Sequence, residues 1–105
     1  MRPAGLVLKV LKRLKECAMK IYFPTRWLHV DASAPHPPNT TYLVSQGHEH
    51  WGGEEPWAVR KIQMVYDGKV SGRRSPSFPS GTDDFERVQT AMARIVAGEG
   101  QTGND

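Results

Sequence analysis

With 105 residues, 38% of them hydrophobic and 24% charged, the chain is sized for one globular domain with a modest core, and its composition excludes wholesale disorder. No stretch approaches the ~18 uninterrupted apolar residues of a membrane span, and a lone cysteine, Cys17, excludes an internal disulfide or a multi-cysteine zinc site. The net charge of +3 is unevenly spread: residues 1–20 hold six basic side chains against Glu16 alone, while residues 21–105 hold eight basic and ten acidic ones.

Residues 4–21 read as a basic amphipathic helix. Val7, Val10, Leu11, Leu14, Cys17, Ala18 and Ile21 recur at helical spacing, and Lys9, Lys12, Arg13 and Lys15 crowd the other side. Lys9, Lys12 and Arg13 also break the apolar run that a signal peptide would need, which points to the cytoplasm. Such a helix packs on the domain or on a partner subunit, or lies on an anionic membrane surface or nucleic acid. A third reading takes Met19 as the true start.

Ile21 to Val30 has the aromatic and branched content of a strand, with Pro24 marking an edge or a break. Residues 31–40 form a proline-rich loop, and Thr41 to Gln46 a short strand. A second polar loop spans Gly47 to Pro56. Trp57 to Tyr66 alternates as a strand, with Ile62, Met64 and Tyr66 on one face. Asp67-Gly68 turns the chain into a partner strand, Lys69 to Arg74. A three-residue loop with a bulge at Gly68 pairs Met64 with Val70 and keeps apolar groups together, so this register is expected over the two-residue turn that pairs Val65 with Val70.

Two prolines, Pro76 and Pro79, end that strand. A helix follows, capped by Thr82 or Asp83, with Glu86 at capping-box spacing from Asp83. Phe85, Val88, Met92, Ile95 and Val96 form its apolar stripe, destined for the Ile62/Met64/Tyr66 face, and Gly98 stops it. Residues 98–105 read as a disordered tail.

The segment Gly47-His48-Glu49-His50-Trp51-Gly52-Gly53-Glu54 carries the sharpest chemical motif. In an extended chain His48 and His50 point the same way, and Glu54 can fold back across Gly52-Gly53. Imidazoles and a carboxylate suit zinc, iron or manganese. The His-x-His-x-x-x-Glu spacing resembles the first metal-binding motif of cupins over seven residues. The glycines that flank the cupin motif are out of register here, and no second motif supplies a third histidine on a later strand. A plain polar loop is the competing reading, and His29 or His36 would have to complete a site in space.

Arg73 and Arg74 offer guanidinium forks for phosphate, and with Lys12 and Arg13 they make the candidate nucleic-acid or anion-binding set. Trp51, Trp57 and Phe78 are candidate stacking surfaces. The competing reading is a strand end with solvated arginines, and aromatics in the core. No Gly-x-Ser-x-Gly elbow and no phosphate loop occurs, so no catalytic residue is assigned. Asp83 and Asp84 are explained by their place at a helix start.

The expected architecture is α+β: a small antiparallel sheet of three or four strands, a C-terminal amphipathic helix on one face and an additional N-terminal helix. The domain spans residues 21–97. The expected role is a non-enzymatic interaction module that self-associates, because Trp27, Trp57, Val59 and Val65 supply apolar area on the second face. The alternatives are a nucleic-acid-associated protein and a protein binding a divalent metal; no other cofactor is expected.

Overall fold

The computed structural model describes residues 21–53 and 55–103. The N-terminal helix expected within residues 1–20 lies outside the described residues, as does the choice between Met1 and Met19. The described chain runs β1 (Ile21–Asp31), β2 (Thr40–His50), β3 (Trp57–Tyr66), β4 (Lys69–Val70), α1 (Asp84–Val96) and β5 (Gln101–Thr102). The sheet therefore has five strands, in the order β4-β3-β2-β1-β5, all antiparallel, which corrects the expected three or four. The fifth comes from the supposed disordered tail: Arg26 and Trp27 of β1 pair with Thr102 and Gln101.

β1, β2 and β3 form a meander of long strands. Pro24 does not break β1. It sits beside a register shift between Pro24 and Arg26, where Thr25 is the extra residue of a bulge. β2 is longer than expected because Gly47, His48 and Glu49 continue its ladders to both neighbours.

The β3–β4 hairpin closes through a two-residue turn, with Asp67 at φ 50° and Gly68 at φ 80°. This is the left-handed pair that suits strand twist best. Val65 accordingly faces Val70, and Ser71 donates its N–H to the Met64 carbonyl at 2.8 Å. The expected bulge register is thus overturned, because two left-handed residues leave no extra residue to bulge. β4 ends after Val70, well before the expected Arg74. Substituting Gly68→Ala puts a Cβ at a left-handed position and should cost about 1 kcal/mol, measured by urea denaturation; an unchanged midpoint would contradict this turn.

The helix was legible in outline, but its buried face is rotated from the expected stripe. Asp84, Val88, Ala91 and Ile95 are buried, while Phe85 and Val96 are about half exposed. Asp83 takes the N-cap position without a side-chain capping bond; its carboxylate instead accepts from Arg87 Nε at 3.0 Å. At the other end Glu99 N–H bonds the Arg94 carbonyl and Gly98 N–H that of Ile95, the Schellman pattern that stops the helix where expected.

α1 lies over β1 and β2. Val88, Ala91 and Ile95 meet Tyr42, Val44 and Met64 in one core, flanked by Leu28, Val30, Ile62, Tyr66, Phe78 and Met92. The helix thus covers the predicted Ile62/Met64/Tyr66 face. Trp27, Trp57, Val59 and Val65 share the other face, as their register with Ser45, Glu49, Gly47 and Thr41 shows.

Candidate functional site

β2 brings His48 and His50 to one face, as an extended chain requires. His48 is exposed, and His50 packs edge-on against Phe23, with ring centroids 6.1 Å apart. Glu54, the third expected ligand, lies outside the described residues. His29 bonds Thr41 at 3.0 Å and His36 meets the Ser77 carbonyl at 2.8 Å, so neither joins the pair. Among the described residues, no three His, Cys, Asp or Glu side chains group as a metal site.

The expected basic set is not assembled among the described residues either. Arg73 and Arg74 are exposed beyond β4, their N–H groups directed at Ser71 Oγ. Arg74 lies over the Tyr66 ring at 5.6 Å. Lys12 and Arg13 fall outside the described residues. Of the candidate stacking rings, Phe78 is spent on the core, stacked on Tyr42 at 5.0 Å. Trp51 and Trp57 remain at the surface, stacked on each other at 5.7 Å and each more than half exposed.

Two polar clusters have no counterpart in the sequence reading. The first is structural. The Asp84 carboxylate, with no exposed surface, accepts from the Ser33 N–H (2.9 Å), the Ser33 hydroxyl (2.6 Å), the Tyr42 hydroxyl (2.8 Å) and Arg87 Nη2 (2.6 Å). Burial alone would raise its pKa, but the Ser33 bonds, the Tyr42 hydroxyl and the Arg87 charge outweigh it and hold it well below the usual carboxylate range. Burial and that carboxylate together push the Tyr42 hydroxyl far up, and the Asp83 bond leads the contacts that raise Arg87. The network pins the 31–40 loop to the helix start, and a group so thoroughly bonded has no capacity left for substrate.

The second cluster positions a surface. Glu49, buried on the second face, bonds Lys61 of β3 and accepts the Trp51 indole N–H at 2.6 Å. Lys61 also lies 4.7 Å above the Tyr22 ring, whose hydroxyl meets Ser45 Oγ at 2.7 Å. Burial leads the effects that raise the Tyr22 pKa. Through Glu49 the exposed Trp51/Trp57 stack is tied to the upstream half of β3.

That half of β3 is an open edge. β4 meets only its last residues. From Trp57 to Gln63 the outer side has no strand partner among the described residues. Since Met64 turns its carbonyl outward to Ser71, the two-residue period directs the N–H and C=O groups of Ala58, Arg60 and Ile62 outward as well. The opposite edge is blunted: β5 pairs part of β1, Arg87 Nη1 takes the Asp31 carbonyl at 2.9 Å, and Pro24 and the bulge occupy the rest.

Fold and surface together define a small, compact antiparallel α+β domain in which, among the described residues, one long sheet edge has no strand partner. No helix among the described residues is long and apolar enough to cross a membrane. Set against known protein families, characterised proteins and solved structures, the chain finds no match.

Proposed function

We propose that this domain is a non-enzymatic interaction module of the cytoplasm that pairs with a second copy of itself along the outer edge of β3. The observation that carries the reading is the run Trp57–Gln63, whose outer side has no strand partner among the described residues and which is bordered by the exposed Trp51/Trp57 stack. A twofold antiparallel pairing matches each outward N–H with an identical strand's carbonyl, which favours a second copy over an unrelated chain.

Charge selects the register. Centring the twofold axis on Arg60 or Lys61 sets like charges opposite each other. Centring on Val59 places Val59 against Val59, Ala58 against Arg60 and Trp57 against Lys61, a cation beside an indole. Light scattering across a concentration series should give a dimer mass. Val59→Glu, which sets two carboxylates on the axis, should weaken self-association at least ~10-fold, about 1.4 kcal/mol, with the circular dichroism spectrum unchanged. A monomer mass for the unaltered chain at all concentrations would overturn the proposal.

A further inference from the structure

Where α1 ends, the helix-side face of the sheet continues into an open groove of about 590 Å³, lined by Thr25, Gln46, Gly47, His48, Ala58, Val59 and Arg60. We propose that this groove binds a small organic anion, a carboxylate or phosphate on an apolar body, with Arg60 as the principal contact and Gln46 and His48 as additional donors. Every group comes from a single chain, so the site does not depend on self-association.

The register builds the groove. Val44 and Ile62 lie opposite each other under the helix; the next positions on that face are Gln46 opposite Arg60, then His48 opposite Ala58. The three polar side chains are thus neighbours across one pair of strands. On the β1 side the bulge at Thr25 widens the floor, and the Thr25 hydroxyl is tied to the Gln46 carbonyl at 3.2 Å. The volume suits a small molecule.

The unspent hydrogen-bonding capacity points to the ligand's charge. Arg26, Arg87 and Arg94 each bond a carbonyl or a carboxylate. Arg60, by contrast, has no hydrogen-bond or ion-pair partner among the described residues, and neither do the side chains of Gln46 and His48. Among the described residues, no acidic side chain lines the groove. A guanidinium fork, an amide NH₂ and an imidazole N–H facing one space form a set of donors that an oxyanion satisfies. Ala58 supplies apolar surface for the remainder of the molecule.

The test is an amide NMR titration of the full chain with phenyl phosphate, phenylacetate and uncharged benzyl alcohol. Saturable shifts centred on residues 46–48 and 58–60 are expected with one or both anions and not with the alcohol. Arg60→Gln should weaken that binding at least tenfold, Arg60→Lys should retain part of it, and Arg73→Gln, which removes an exposed charge elsewhere, should leave it unchanged. The proposal is overturned if benzyl alcohol binds equally, if Arg73→Gln weakens binding as much as Arg60→Gln does, or if no anion produces saturable shifts in this groove.

Discussion

Replacing Asp84 with alanine should cost about 3 kcal/mol or more, the usual penalty for breaking a buried, multiply bonded charge. For a domain of this size that is a fall in melting temperature of roughly 12–24 °C. The loss is large because four donors converge on one carboxylate. Tyr42 keeps the Ser77 carbonyl at 2.8 Å as a second acceptor, whereas the Ser33 N–H loses its partner. The pH dependence follows from the depressed pKa. A carboxyl held below its unfolded value contributes fully above about pH 4, and that contribution drains away as the pH falls toward the folded value. Denaturation curves for the unaltered chain and Asp84→Asn should therefore lie far apart at neutral pH and converge in acid. A gap that stays constant from pH 7 to pH 3 would show that the Asp84 charge is not what stabilises the fold.

Gly47→Ala should be comparably damaging for a steric reason. A Cβ at Gly47 would lie 2.1 Å from the Phe23 carbonyl oxygen and 2.7 Å from the Pro24 Cα. Both are backbone atoms, so no side chain can rotate away, and β1 itself must move. Overpacking of this kind costs roughly 1–3 kcal/mol, and more where the backbone cannot yield. The damage should be local: the pairs from Ile21↔His50 to Pro24↔Gly47 should open while the core around Tyr42 and Ile95 holds. Hydrogen exchange would show faster exchange at amides 21–23 and 47–50 alone. Unchanged protection there would contradict the close strand approach at the bulge.

Periodicity made β3 and α1 readable from the sequence, because each carries a repeating apolar signal longer than its local exceptions, while aromatic and branched content marked β1. The failures trace to residues whose ordinary meaning was reversed by packing. Gly47 reads as a loop residue, yet it sits inside β2 because only a glycine lets β1 pass so close. Asp84 reads as a first-turn acid suited to the helix dipole, yet it belongs to the buried face. The signal was available: Asp84, Val88, Ala91 and Ile95 follow the four-three-four spacing of a helix seam, with Arg87 one turn on to neutralise the charge. Gln101 and Thr102 carry no strand signal, since β5 is defined by the edge it meets rather than by its own residues.

The candidate surfaces were less legible than the fold. The shared direction of His48 and His50 followed from simple alternation. That Arg60 lies opposite Gln46, with no counter-charge among the described residues, depends on a register set by the whole meander, which no local spacing encodes.

The placement of β5 also sets an order of assembly. β1, β2 and β3 meet their neighbours in sequence, so the meander closes short loops and can form early. The outer side of β1 has to wait for the last described strand, which follows α1 in the chain, and for Arg26 to reach the Gly98 carbonyl across 72 residues. A nascent chain with its first three strands in place therefore has two bare strand flanks, and completing the helix turn and β5 removes one of them. Mispairing during synthesis should be concentrated in that interval, before the ribosome has released the segment that seals β1.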